Sequence, residues 1–240
     1  MEHRRGWLRR FFDAPHADAS PAPTRGARRY FFLLTTHFGR LIGLSLLGTL
    51  LSLPVVTMPA TLSAMDRVAG KLVRDGNCFF FSDFFEEWKK SFFKSLPLGL
   101  VFGGLCLLGW WQAATGLVNG GTAAGALLTA GGIVLLLLSA AAGAYAFLLC
   151  AFVSLPCGAL LRDAWLLLFA GWKGSLCAVA AIAAFLAFTV LALPYSLLFD
   201  AVLLYGLLQF TLCFALNGSM QTFVLDPFTK ASENEEEGQG

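Results

Sequence analysis

The sequence predicts an all-α polytopic membrane protein with about five transmembrane helices plus amphipathic interfacial helices. Of the 240 residues, 57% are apolar and only 13% are charged, and the mean hydropathy is +0.70. A soluble domain usually has about 45–50% apolar and about 25% charged residues. Only four charged residues occur between positions 95 and 225. Because a chain of this size cannot hide so much apolar surface from water, its solvent must be lipid.

Uncharged stretches mark the candidate spans, since about 20 apolar residues of helix cross the hydrocarbon core. The longest stretch, Ser95–Leu161, has 67 residues, enough for two spans. It divides at the turn signal Asn119-Gly120-Gly121, and Trp110 and Trp111 stand where interfacial aromatic residues belong. Pro194 separates the last two spans. The five predicted spans are about 32–56, 96–114, 125–153, 174–193 and 196–217.

The distribution of Lys and Arg predicts the orientation. Six basic residues lie in 66–95 and two lie in 157–173, whereas 115–122 and the Pro194 turn have none. By the positive-inside rule, residues 66–95, residues 157–173 and the acidic tail are cytoplasmic. The first span leaves two alternatives open. It crosses fully and places the Arg-rich N-terminus outside, or it bends at Pro54 and Pro59 and returns.

Two amphipathic helices are predicted between the first two spans, at 60–74 and 82–95. In the second, Asp83 can cap the helix start with Glu86 completing a capping box, and Glu86 can pair with Lys90. The predicted apolar face holds Phe81, Phe84, Phe85, Trp88 and Phe92, and the opposite face holds Asp83, Glu86, Glu87, Lys89, Lys90 and Lys94. This pattern is typical of a helix in the membrane interface. Packing on a partner or on the protein's own bundle is the alternative.

The two ends of the chain differ in charge from the membrane body. Residues 1–29 form a basic segment and linker, 30–220 form the transmembrane domain, and 221–240 form an acidic tail that we expect to be disordered. Acidic and Pro residues follow the first Arg cluster where an apolar signal-peptide core would lie, so we expect no cleaved segment. The six Cys lack metal-site spacing, and we expect free, buried thiols.

Three stretches between the first two spans carry a family resemblance. They are Leu53-Pro54-Val55-Val56-Thr57-Met58-Pro59, then Lys71-Leu72-Val73-Arg74-Asp75, then Ser82-Asp83-Phe84-Phe85 with Lys89-Lys90. In this order they resemble the YesL-like family of bacterial integral membrane proteins, over roughly 30–220 and specifically over 53–95. The motif residues are Pro54, Thr57, Pro59, Asp83 and Phe84. The family often has Asn nine residues before the Pro54 position, where this chain has Ser45.

What the resemblance implies is a multi-pass protein of the bacterial cytoplasmic membrane with a domain of unknown function. Members of the family are often linked with carbohydrate uptake, which implies an accessory to a sugar-transporter permease. These implications come from the family and not from any residue of this chain.

Two groups of charged residues are candidate functional sites. The first would bind a partner or anionic lipid on the cytoplasmic face, and consists of Arg67, Lys71, Arg74, Lys89, Lys90 and Lys94. The second consists of ionisable residues near membrane depth, which are functional suspects because burying a charge there is costly. It comprises Asp200, Arg162 and Asp163. Interfacial placement is the alternative for all three, and Arg162 and Asp163, adjacent on a helix over 158–170, should not pair.

No catalytic motif or metal-ligand spacing stands in a credible context, so we expect neither an enzyme nor a cofactor or metal site. The favoured function is a membrane protein accessory to carbohydrate or solute uptake. The alternative is an autonomous small transporter or channel, with Asp200, or Arg162 and Asp163, lining a polar path. The expected partners are the lipid bilayer, a sugar-transporter permease and further copies of the chain, without nucleic acid.

Overall fold

The computed structural model describes residues 27–75, 80–153, 155–191 and 200–220. Within these ranges the chain forms eight α-helices and no strand. They are α1 (Ala27–Thr36), α2 (Phe38–Ser52), α3 (Met58–Asp75), α4 (Phe80–Val118), α5 (Ala123–Phe152), α6 (Cys157–Ala170), α7 (Trp172–Leu191) and α8 (Tyr205–Met220), the last preceded by the π-helical turn Asp200–Leu204. The Pro194 turn, the acidic tail 221–240 and nearly all of the basic segment lie outside the described residues.

Three helices are long and apolar enough to cross a membrane: Phe81–Val118, Ala123–Phe152 and Trp172–Leu191. A fourth span is possible if α1 and α2, which bend by 74° at His37, count as one. The sequence predicted about five spans, and the last of these is a shorter apolar helix, Val202–Gly218. The described residues are therefore all-helical and compatible with a helical membrane protein, with three candidate spans, or four if the bent pair is one span.

The predicted interfacial helix 82–95 and the predicted span 96–114 are one helix, α4, of 39 residues. It continues through Pro97, because Ser95 and Leu98 on either side of the proline are both buried against the bundle. At 1.5 Å per residue α4 is about 58 Å long, whereas the hydrocarbon core is only about 30 Å thick. Part of α4 therefore extends beyond any membrane it crosses.

The other predicted interfacial helix, 60–74, corresponds to α3, which lies inside the bundle instead. It contacts α2, α4, α5 and α8, and its buried residues occur on every side: Ala60, Ser63, Ala64, Met65, Asp66, Val68, Ala69, Leu72 and Val73. The amphipathic pattern of 60–74 led to the interfacial prediction, which fails because the polar side of α3 also contacts other helices. The interfacial assignment of 60–74 is wrong for this structure.

The Pro54–Pro59 segment reverses the chain between α2 and α3. The side chain of Thr57 donates hydrogen bonds to the carbonyls of Leu51 and Pro54 at the end of α2, which satisfies groups that a helix end leaves unpaired. Pro59 sits in the first turn of α3, where proline is tolerated. Gly48 of α2 then leaves room for Met65 of α3, whose Sδ would lie 2.5 Å from an added Cβ. The chain thus turns here, and α3 packs back on α2.

A close-packed hairpin of α4 and α5 projects from this core. Glycines permit the contact, since a Cβ on Gly109 would lie 2.8 Å from the backbone nitrogen of Leu136. The predicted turn at Asn119–Gly121 joins the two helices. The outer half of the hairpin exposes large apolar side chains, as expected for a surface in lipid: Leu107, Trp110, Trp111, Leu117, Val118 and Leu127.

Candidate functional site

The six predicted partner-binding cations fall into two structural groups. Lys89, Lys90 and Lys94 lie exposed on the N-terminal half of α4. Phe85 and Phe93 are exposed on the same side, together with Glu86. We call these six residues the lysine face. Among the described side chains no ion pair joins Glu86 to Lys90, in contrast to the prediction.

The opposite side of this half of α4 packs on the protein's own bundle. Phe84 is fully buried, and Phe81 and Trp88 pack against the core. Of the two predicted environments for the aromatic face, the structure gives packing on the bundle. Two residues of α4 differ from the predicted faces. Phe85, predicted on the apolar face, is exposed, and Glu87, predicted on the polar face, is buried. Asp83 is not a helix cap, because α4 begins earlier, at Phe80.

The other three predicted cations turn inward from α3 and connect it to three helices. Arg67 donates a hydrogen bond of 2.9 Å to the carbonyl of Ala151 in α5. The ammonium of Lys71 lies 2.6 Å from the carboxylate of Asp83 in α4. Arg74 donates to the side-chain oxygen of Asn217 in α8, at 3.0 Å. These contacts place the three cations among structural groups and not on a docking surface.

Phe152, at the end of α5, completes this arrangement. The guanidinium carbons of Arg67 and Arg74 lie 5.1 and 4.1 Å from its ring centroid, within the range of a cation–π contact. The ring also rests on Gly70, where an added Cβ would lie 2.5 Å from two ring carbons. A glycine between the two arginines therefore lets the end of α5 seat on α3.

The second group of predicted candidates is described for two of its three side chains. Arg162 and Asp163 lie on α6, where their side chains are 81% and 32% exposed and 4.0 Å apart at the closest atoms. They were predicted not to pair, and this marginal contact is a small correction. Asp200 begins the π-helical turn, but its side chain lies outside the described part of the chain. The structure therefore gives neither Arg162 nor Asp163 a buried polar environment.

The most unusual polar group is Asp66, which is not among the residues predicted from the sequence. It lies in the middle of α3 and is only 2% exposed. Its Oδ1 accepts hydrogen bonds from the side-chain amide of Gln209 and from the thiol of Cys213, the latter at 3.1 Å. Its Oδ2 has no hydrogen-bond partner in the described part of the chain. α3 is not among the candidate spans, and burial raises the pKa of the Asp66 carboxyl from its ordinary value to about 7.

The partners of Asp66 belong to a polar stripe along α8. Tyr205, Gln209, Cys213 and Asn217 follow one another at intervals of four residues, so they lie on one side of the helix. Tyr205 lies 3.4 Å from the hydroxyl of Ser52, and Asn217 receives the hydrogen bond from Arg74. This spacing in an otherwise apolar helix is the sequence signal that could have indicated the site.

Two further buried polar contacts accompany this stripe. The Ser45 hydroxyl accepts a 3.1 Å hydrogen bond from the backbone of Gly206, at the position where the YesL-like family often has Asn. Glu87 of α4 is 4% exposed and accepts a hydrogen bond from Ser91, one turn further on. No group of three His, Cys, Asp or Glu in the described ranges could hold a metal ion.

One family comparison gives a match. Residues 32–113, roughly a third of the chain, match the family model described as "Protein of unknown function, DUF624". The matched region contains the Pro54–Pro59 turn, all of α3 with Asp66, and most of α4 with the lysine face. Neither a curated protein nor a solved structure matches the chain. The match is consistent with the YesL-like resemblance in describing a domain of unknown function.

Proposed function

We propose that this chain is a non-enzymatic, multi-pass protein of the bacterial cytoplasmic membrane that assists carbohydrate or solute uptake. It would do so by binding an integral permease subunit through the lysine face. The observation that supports this proposal most is the exposure of Lys89, Lys90 and Lys94. The other three cations of the same region are bound within the bundle.

The chemistry of the lysine face suits an acidic protein surface. It presents three ammonium groups with one carboxylate, Glu86, and complementary charge favours both encounter and register between partners. Phe93 is 83% exposed beside these charges, and exposed aromatic residues are frequent anchors of protein interfaces. We therefore expect an acidic cytoplasmic loop of a permease subunit as the occupant. The carbohydrate part of the proposal is supported only by the resemblance of residues 53–95 to the YesL-like family.

Quantitative co-purification from native membranes tests this binding. Full-length tagged chain is extracted in mild detergent, and co-purifying integral membrane proteins are identified by mass spectrometry. We expect a permease subunit with the unaltered chain and a loss of at least about tenfold on Lys89→Gln, Lys90→Gln and Lys94→Gln together. The matched control replaces three exposed cations elsewhere, Arg28, Arg162 and Lys173, with Gln, and should retain the subunit.

Two results would contradict the binding proposal. If the lysine variant and the control retain the same amount of permease, the face serves only to orient the chain. If the unaltered chain purifies as a homo-oligomer without other membrane proteins, the accessory function is overturned and the second candidate gains support.

The second candidate is an autonomous small transporter or channel, favoured by one observation. Asp66 is a buried carboxylate among helices, and one of its oxygens lacks a hydrogen-bond partner among the described residues. Buried ionisable groups of this kind are candidates for functional sites. Purified chain in liposomes should then show solute flux that Asp66→Asn abolishes and Glu86→Gln leaves unchanged. Absence of flux for ions and sugars alike would exclude this candidate.

A further inference from the structure

The contact between α3 and α8 contains a carboxylate that is only half satisfied. Oδ1 of Asp66 accepts two hydrogen bonds, from Gln209 and Cys213, whereas Oδ2 accepts none from the residues that the structure describes. The residue is 2% exposed. An ionised carboxylate in such a place is unfavourable, because neither water nor a donor compensates the charge on the second oxygen.

Neither ion pair within the described ranges includes Asp66. The two ion pairs there join Lys71 to Asp83 and Arg162 to Asp163. Arg74, two turns further along α3, donates instead to Asn217. The described residues also hold no metal-binding group. The smallest ligand that removes the charge from Asp66 is a proton.

We propose that Asp66 is a proton-binding site in the contact between α3 and α8, and that release of its proton loosens this contact. The proposal does not depend on the lysine face or on any permease. It assigns a ligand to a residue that lies where α3 and α8, two helices far apart in sequence, contact each other. Binding of a proton there changes how α8 is held against α3.

The burial of Asp66 favours binding and release of its proton near neutral pH. It raises the pKa of Asp66 to about 7, although the hydrogen bonds from Cys213 and Gln209 act in the opposite direction. On α8, the titratable groups that face Asp66 are Cys213 and Tyr205. The other helices packed against α3 carry further charged or titratable groups. These are Arg40 on α2, with His37 just before it, Tyr145 and Cys150 on α5, and, on α4, Asp83, Glu86, Glu87, Lys89, Lys90, Lys94 and Cys106.

The packing around the site explains how one proton can act on α8. Gly206 holds the start of α8 against α2, where an added Cβ would lie 2.6 Å from the carbonyl of Leu41. Asn217 holds its other end through Arg74. Asp66 contacts the middle of α8, between Gly206 and Asn217. When Asp66 loses its proton, the negative charge therefore arises next to the middle of a helix that is held at both ends.

Difference infrared spectroscopy on the full-length purified chain tests the proposal, because a protonated carboxylic acid has its own carbonyl band. Titration from about pH 5 to about pH 9 should show that band disappearing with a midpoint near 7. Asp66→Asn should lack this transition. Glu87→Gln removes the other buried carboxyl of this region and should keep it.

A second variant keeps the carboxylate in case Asp66→Asn does not fold. Gln209→Leu removes a donor to the ionised form, so it should raise the midpoint by about one pH unit. Two results would overturn the proposal. The first is an Asp66 carboxyl that is already ionised at about pH 5, as an ordinary Asp would be. The second is a transition near neutral pH that persists unchanged in Asp66→Asn.

Discussion

The ring of Phe152 rests on the backbone of Gly70, so closely that a Cβ on Gly70 would lie 2.5 Å from two ring carbons. Arg67 and Arg74 lie one turn to either side of Gly70, and both place their guanidinium groups over the same ring. The end of α5 is thereby fixed to the middle of the buried helix α3. Since Arg67 and Arg74 act in this contact, only the lysine face remains as the exposed cationic surface of this region.

Gly70→Ala should lower the stability of the protein by about 1–3 kcal/mol, because the added methyl group overpacks against Phe152. The better helix propensity of Ala, worth about 1 kcal/mol, opposes this loss and does not cancel it. The measurement is thermal unfolding in detergent. Gly103→Ala is the control, since a Cβ there meets nothing within 4 Å, and it should be neutral or stabilising. Equal midpoints for the two variants would contradict the described packing of Phe152.

Asp83→Asn should destabilise the protein by about 1–3 kcal/mol, because it leaves the partly buried ammonium of Lys71 without its carboxylate. Exchange of the two residues, Lys71→Asp with Asp83→Lys, should recover part of that loss. The comparison is made by thermal unfolding. Removal of the exposed contact by Arg162→Gln should change stability little. A double variant no more stable than Asp83→Asn alone would show that the ion pair does not join α3 to α4.

Stability should depend on pH through Asp66. The folded protein keeps this proton up to about pH 7, whereas the carboxyl of the unfolded chain releases it near 3.8. Between these values the folded state binds more protons, so the free energy of unfolding falls as the pH rises and levels off above about 7. The contribution is a few kcal/mol at most, because a tenfold change in proton affinity corresponds to about 1.4 kcal/mol.

Asp66→Asn should remove this part of the pH dependence and be more stable than the unaltered protein at about pH 8. Thermal midpoints at about pH 5 and about pH 8 provide the comparison. Asp163→Asn is the matched control, because that carboxylate is partly exposed, and it should keep the slope of the unaltered protein. The same slope in Asp66→Asn would exclude an Asp66 proton from the stability of the fold.

The sequence predicted the helical membrane class and the α4–α5 hairpin because both follow from local hydropathy and a turn signal. It did not predict the position of α3. The groups that satisfy Arg67 and Arg74 of α3 are Ala151 and Asn217, which lie 84 residues from Arg67 and 143 residues from Arg74 in the chain. No local periodicity reports such distant partners, so a helix with a cationic side was interpreted as interfacial.

Asp66 was missed for a related reason. Asp200 stands out because it interrupts a long apolar stretch, whereas α3 has too many charges to be predicted as a span. The burial of Asp66 depends on Gln209 and Cys213, which lie 143 and 147 residues further along the chain. Their spacing with Tyr205 and Asn217 was a usable signal, since four residues correspond to about one helical turn.

The contacts of Asp66, Arg67 and Arg74 all require that α3 lies inside the bundle. Thiol labelling tests this position of α3 directly. Ser63 lies on the same side of α3 as Arg67 and Arg74, and it is fully buried, whereas Ser82 on α4 is exposed. In chains freed of native cysteines, Ser63→Cys and Ser82→Cys are treated with a water-soluble maleimide in native membranes. Because labelling follows exposure, Ser63→Cys should react at least about tenfold more slowly than Ser82→Cys. Equal rates would place α3 at the surface and contradict its internal position.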